Sequence, residues 1–245
     1  CYVGGTDPRS GGTFIFYEYP AGGTGAFEGG DGNNAVRTFT ESDITTIQPV
    51  EAVEQKYPLR VERCELRPDS GGDGRWRGGL GLRREVRLLA PEAQLSVLAE
   101  KNLLPPYGVC GGVSGAPNRF FVVRDGQEVE PSPLPGKVSG FPLRAEDSVV
   151  MESSGGGGYG DPLERDPVRV ARDVAEGVIS LTKAETVYGV ILRDGALDPE
   201  GTRQRREQLR RARPILRLRR QEGPEYKEGR RICRVSRLAA RRVGV

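Results

Sequence analysis

One acid set among glycines is the first place in this sequence to look for polar chemistry. Gly22-Gly23-Thr24-Gly25-Ala26, followed by Gly29-Gly30-Asp31-Gly32-Asn33-Asn34, joins flexible backbone to a carboxylate and two amides. Such a loop can hold a substrate amide or place a carboxylate beside water. Asp31 is therefore the candidate catalytic residue, with a solvated turn as the bland alternative. A second stretch, Asp69-Ser70-Gly71-Gly72-Asp73-Gly74-Arg75-Trp76-Arg77-Gly78-Gly79-Leu80-Gly81-Leu82-Arg83, folds glycine-rich backbone back on itself. Its N–H groups can cradle an anion beside Arg77 or Arg83; the alternative is a pair of tight turns with Trp76 as a core plug. With Gly22 and Gly23, the residues Asp69, Ser70 and Arg77 are the candidate substrate-binding set.

Two further patterns read as structural. Gly155, Gly157 and Gly160 satisfy G-x-G-x-x-G, but Pro162 and Leu163-Glu164-Arg165 separate them from the next helix. A dinucleotide site needs the helix to begin at the glycines, and no G-K-[ST] makes this a Walker A loop. Glu51 and Glu54 share a helix face, where a carboxylate pair can bind a metal or share a proton. Such a pair equally serves a helix N-terminus, and no metal site is assigned.

Composition closes off several classes of chemistry. The 245 residues contain no histidine, which excludes Ser-His-Asp and Cys-His catalysis and imidazole metal ligands built from this chain. The four cysteines, Cys1, Cys64, Cys110 and Cys233, form no C-x-x-C pair, so reduced thiols in a cytoplasmic protein are expected. Net charge is only +3, and arginines between Arg203 and Arg242 supply the excess. That run has no interleaved aromatics, so a solvated helix or a subunit contact is expected rather than nucleic-acid binding. No apolar stretch approaches a membrane span and no signal-peptide pattern opens the chain. The chain opens on Cys1-Tyr2-Val3-Gly4-Gly5, which reads as the middle of something; a missing N-terminus is expected.

The elements that must position these residues are short. Strands are expected at Thr13–Tyr19, Leu59–Leu66, Leu82–Leu89, Gln94–Ala99, Asn118–Arg124, Gln127–Val129 and Asp147–Glu152, with a hairpin turn at Asp125-Gly126. A short helix is expected over Ile47–Tyr57 with Pro49 in its first turn. Beyond Gly160, Asp166-Pro167 opens a helix that Gly177 closes, and Thr182-Lys183-Ala184-Glu185 has capping-box spacing. Val190-Ile191-Leu192 reads as a strand, and Asp198-Pro199 opens a helix that Pro214 must stop. The expected fold class is α+β. A glycine-rich, mainly antiparallel β body (1–160) precedes a small α/β appendage (161–213) and a basic tail (214–245). Glycine is expected to serve the body's turns by reaching positive φ.

The order of the pieces resembles the hydantoinase B/oxoprolinase family, also represented in acetone and acetophenone carboxylases. The matching elements are Gly22-Gly23-x-Gly25-Ala26 with Asp31-Gly32, Pro49-Val50-Glu51-x-x-Glu54, and Tyr57-Pro58-Leu59-Arg60. Next come Asp69-Ser70-Gly71-Gly72-x-Gly74-x-x-Arg77-Gly78-Gly79-x-Gly81 and Pro106-x-Gly108-x-x-Gly111-Gly112. The series ends with Gly156-Gly157-Gly158-x-Gly160-Asp161-Pro162-x-x-Arg165-Asp166-Pro167, Asp173-Val174-x-x-Gly177-x-x-Ser180 and Tyr188-Gly189-Val190. The resemblance implies a B-type subunit of an enzyme that opens a cyclic amide (hydantoin, 5-oxoproline or lactam) with ATP. It implies a partner A-type ATPase subunit carrying ATP and Mg2+, and an N-terminal part of the B-type subunit that brings any divalent metal. That part, with its Asn-Asp-Pro and histidine-bearing motifs, is not in this chain, so the polypeptide alone is expected to be inactive. The alternatives are a subunit of an acetone- or acetophenone-type carboxylase, and a non-catalytic module that binds the A-type partner.

Overall fold

The computed structural model describes residues 1–37 and 47–213. The expected tail at 214–245, Pro214 and Cys233 lie outside them. Residues Cys1–Arg206 form one compact unit, and the described residues 207–213 fall in a second.

Two antiparallel sheets make the body. The first has the order β2-β1-β5-β8, from β1 (Tyr2–Thr6), β2 (Thr13–Tyr17), β5 (Glu92–Leu98) and β8 (Lys137–Arg144). The second has the order β3-β4-β9-β6-β7, from β3 (Leu59–Leu66), β4 (Leu82–Leu88), β6 (Arg119–Arg124), β7 (Gln127–Val129) and β9 (Ser148–Glu152). Alternation decides what each strand buries: in β4 the residues Leu82, Arg84, Val86 and Leu88 face in while Arg83, Glu85 and Arg87 are half-buried. One core joins the sheets, with Val3, Phe14, Phe16 and Leu95 from the first against Val86, Val122, Val149 and Met151 from the second. A short helix, α1 (Val50–Lys56), adds Val53 to it. A buried ion cluster sits at its margin. Glu18 accepts from Arg37 at 2.7 Å and lies 3.4 Å from the fully buried Arg84.

Seven of the nine described body strands lie where alternation places them. The other two, β1 and β8, carry Gly4-Gly5 and Gly140-Phe141-Pro142, residues that ordinarily mark a break. In β1 glycine answers a close approach: a Cβ on Gly5 would stand 3.0 Å from the Glu92 carbonyl oxygen of the neighbouring strand. The hairpin turn holds, with Asp125 at φ 51° and Gly126 at φ 75°. Pro49 is the N-cap of α1 rather than a residue of its first turn.

Past Gly160, a 3-10 turn (Pro162–Glu164) leads into α2 (Pro167–Ala175), which Asp166 caps by accepting from the Val168 N–H. The next helix, α3 (Leu181–Thr186), is capped by Ser180, which accepts from the Lys183 N–H. The capping box expected at Thr182 is therefore two residues out of register. The strand expected at Val190-Ile191-Leu192 shrinks to β10 (Leu192–Arg193) paired with β11 (Ala196–Leu197), because Val190 is buried among the helices. Helix α4 spans Pro199–Ala212. A second, smaller core of Leu80, Val170, Ile179, Ala184, Tyr188 and Val190 holds α2 and α3 against the glycine-rich stretch that follows Trp76.

Candidate functional site

The glycine segments are not peripheral turns: they converge. Gly156 donates its N–H to the Gly79 carbonyl, Gly79 donates to Thr24, and Gly72 donates to the Gly156 carbonyl. Gly155 donates to Ala116, Gly158 donates to Val113, and Gly157 and Gly158 accept from Ala26 and Val109. The chain from Ser153 to Gly160 therefore has four other segments around it. A β-strand bonds to neighbours on two sides, whereas successive residues here bond to several different segments. Such chains approach closely only without side chains. A Cβ on Gly156 would meet the Thr24 carbonyl, one on Gly155 the Ser70 carbonyl, and one on Gly78 the Gly156 carbonyl. None of these three has positive φ. Glycine is needed here for proximity and not for the left-handed turns expected from sequence.

The same bonds answer the question of an anion cradle. The N–H groups of Gly32, Gly72, Gly78, Gly79 and Gly81 are committed to Arg77, Gly156, Gly72, Thr24 and the Ser70 hydroxyl. Those of Gly155, Gly156, Gly158 and Gly160 are committed likewise. These donors are not free for a phosphate, and α2 begins only at Pro167, clear of the glycines.

A charged clasp closes one side of this lattice. Asp31 receives both ends of the Arg165 guanidinium, Nη1 to Oδ1 at 2.7 Å and Nη2 to Oδ2 at 2.8 Å. The Arg77 N–H donates to Asp31 Oδ1 at 2.7 Å. Arg165 also reaches Asp173 Oδ2 at 2.7 Å, and Arg77 Nε lies 3.6 Å from that oxygen. Arg165 is fully buried, while the Asp31 side chain keeps 19% of its surface. Partial burial works against ionisation of Asp31, but Arg165 and the Arg77 N–H outweigh it and hold its carboxyl below the ordinary value. Burial opposes the charge of Arg165 too, yet the two aspartates push its pKa up. Beside the clasp, Arg169 stacks on Trp76 with 4.8 Å from guanidinium to ring centroid, so Trp76 is a half-buried platform rather than a core plug.

A second polar group lies under α3. Lys183 Nζ donates to the Asp69 carbonyl at 2.9 Å and stands 3.1 Å from Asp73 Oδ1. Burial pushes the Asp73 carboxyl above its ordinary value, with Lys183 and Tyr188 offsetting part of that. Burial and the Asp73 carboxylate push the Tyr188 phenol well above its own.

The six residues singled out from sequence thus fall on one lattice, each already engaged. Gly22 bridges Val36, and a Cβ on Gly23 would meet Gly79. Asp69, at φ 61°, accepts from the Ser180 N–H at 2.8 Å. Ser70 donates to the Arg67 carbonyl and accepts from the Gly81 N–H. Arg77 and Asp31 stand in the clasp. Glu51 and Glu54 lie away from it on α1, where Glu54 accepts from the Val61 N–H. Among the described residues no group of three or more His, Cys, Asp or Glu is placed to hold a metal ion. Sequence reasoning assigned no role to Arg165, Asp173, Lys183 or Tyr188. The available signal was that Arg165, Asp173 and Tyr188 stand inside the motifs that carry the family resemblance.

Comparison with known proteins shows the family and the fold. The model of the family described as hydantoinase B/oxoprolinase matches residues 1–162. The putative B-type subunit of a D-/L-hydantoinase of Pseudomonas sp. is 35% identical over 195 residues, covering 79% of this chain and 32% of that protein. The nucleotide-free structure of acetone carboxylase superposes with a TM-score of 0.71 at 25% identity, covering 86% of this chain and 32% of that one. An ATP-dependent caprolactamase from Pseudomonas jessenii gives 0.69 at 26% identity, covering 84% and 36%. The chain spans less than a third of the length of the curated relatives it matches, 30% and 32% for two of them.

Proposed function

We propose a function from one premise: this chain belongs to the hydantoinase B/oxoprolinase family. In this reading it is part of the B-type subunit of an ATP-dependent enzyme that opens cyclic amides such as hydantoins, 5-oxoproline or lactams. An A-type ATPase subunit holds ATP and Mg2+, and any divalent metal belongs to the part of the B-type subunit outside this chain. Phosphorylation of the amide oxygen ends the amide resonance and makes the ring carbon electrophilic, so water can add at neutral pH. The ring C–N bond then breaks as the nitrogen takes up a proton, and the acyl phosphate left behind is hydrolysed to carboxylate and phosphate. The contribution asked of this chain is then placement rather than a nucleophile. The observation that carries the reading is the convergence of the family's glycine motifs on one lattice whose polar side chains are committed to one another. Asp31 acts here as a positioning residue, since Arg165 and the Arg77 N–H hold its oxygens. Gly22, Gly23, Asp69, Ser70 and Arg77 shape the wall against which the cyclic amide lies.

The test is a turnover assay with ATP and hydantoin, 5-oxoproline or caprolactam. The isolated chain is expected to give no ring opening. Assembled with the A-type subunit and the remainder of the B-type subunit, it is expected to give ring-opened product in step with ATP hydrolysis. Turnover by the isolated chain would falsify the reading. A second reading, a carboxylase subunit, is favoured by the equally good superposition on acetone carboxylase; ATP hydrolysis that requires bicarbonate and a ketone selects it.

A further inference from the structure

The outer face of the first sheet carries an apolar stripe that faces solvent. Strand β2 reads Thr13-Phe14-Ile15-Phe16-Tyr17, and Phe14 and Phe16 fill the core while Ile15 and Tyr17 point away from it. In register with them stand Tyr2 opposite Tyr17, Gly4 opposite Ile15, and Ser96 and Gln94 beyond on β5. Tyr2 and Tyr17 stack with ring centroids 4.7 Å apart, and Tyr19 meets Tyr17 edge-on at 6.2 Å. Ile15 is 64% exposed and Leu98, at the end of β5, 78%. Tyr2, Ser96, Leu98 and Lys137 border a shallow groove of about 340 Å³ at the foot of this face.

An antiparallel sheet with one solvated face alternates apolar and polar residues, whereas a strand apolar on both faces belongs to a sheet covered on both. β2 is of the second kind. Contiguous exposed apolar surface of this sort marks an interaction face. Its middle, Tyr2, Gly4, Ile15, Tyr17, Gln94 and Ser96, has no charged side chain, so its occupant is neutral and apolar at the contact. The match covers only 30% and 32% of two such relatives and 32% of the acetone carboxylase chain, so most of each such protein lies outside the region compared.

We infer that the outer face of the β2-β1-β5-β8 sheet is the seat of the remaining part of a hydantoinase B-type subunit, which lays a neutral aromatic and aliphatic surface on the Tyr2–Ile15–Tyr17 stripe. This rests on the family reading above and adds where the rest of the subunit docks. The test is a binding measurement, independent of turnover. The chain is mixed with the portion of the Pseudomonas hydantoinase B-type protein that lies outside the matched region, made as a separate polypeptide. The expected result is a 1:1 complex by sedimentation, with Tyr2 and Tyr17 protected from iodination. Affinity should fall at least 100-fold in Ile15→Lys/Tyr17→Lys and stay unchanged in Arg60→Glu on the exposed β3 edge. The inference is overturned by absence of a complex, by equal binding of the double variant, or by a dimer of the chain alone that the double variant dissolves. A complex that still gives no turnover once the A-type subunit, ATP and a cyclic amide are added leaves this inference standing and counts against the proposed function instead.

Discussion

Arg165 is the side chain on which the polar centre turns. It is fully buried and bridges Asp31 and Asp173, which approach from segments 134 and 8 residues away. Arg165→Met removes the cation that both carboxylates share and leaves only the longer contacts of Arg77 with Asp173 at 3.6 Å and Arg169 with Asp31 at 3.8 Å; breaking a buried pair in this way costs about 3–5 kcal/mol. Urea unfolding checks it, and Arg165→Lys is expected to recover little because the two-pronged contact with Asp31 needs a planar fork. The carboxylates also set the pH response. Asp31 titrates below the ordinary 3.8 in the folded state. Its pairing therefore stabilises the fold fully above that value and is lost as pH falls through the lower folded pKa. Asp73 titrates above 3.8 when folded, so it disfavours the fold increasingly as pH rises from there to its raised value. Asp31→Asn should flatten the acid limb of a stability–pH curve, and Asp73→Asn should remove a decline on its neutral side. In the assembled enzyme, Asp31→Asn is expected to lower kcat without removing a limb of the pH–rate profile. Loss of a limb would make Asp31 a proton-transferring base.

At the scale of elements, the decisive contacts are between backbones. Gly156→Ala would push a methyl group into the Thr24 carbonyl, with backbone on every side and no side chain to swing away. Overpacking of this kind costs about 1–3 kcal/mol or more. Gly25 is the control: a Cβ there comes only to 4.0 Å of the Gly157 oxygen and its φ is not positive, so Gly25→Ala should be neutral or gain about 0.4–1 kcal/mol. Thermal unfolding of the two variants side by side measures the difference. This contrast also explains what was legible in the sequence. Strands such as Leu59–Leu66 and Gln127–Val129 are found at their expected bounds because alternation is local. The glycine runs were recognisable as a family signature but not as a packed lattice, since the hydrogen bonds that make it join segments far apart in the chain. Asp31 stood out among its glycines; Arg165 did not, because its partner lies 134 residues away.

For the whole molecule, the glycine lattice joins the sandwich to the helices that follow it. Loops so rich in glycine would ordinarily be the most mobile part of a protein. Here Gly72, Gly79, Gly156 and Gly158 are buried, Gly156 bonded to Gly72 and Gly79, and Gly158 to Val109 and Val113, and amides of that kind open only with the global unfolding of a domain. The proposed division of labour, a rigid glycine scaffold holding reactive groups supplied by other parts of the enzyme, stands on that rigidity. Native-state hydrogen exchange measures it amide by amide. The amides of Gly72, Gly79, Gly156 and Gly158 should exchange as slowly as those of Val122 and Val149 in the sandwich core. Exchange at the rate of the exposed Asp125-Gly126 turn would mean that these segments are ordinary loops and that the scaffold does not exist.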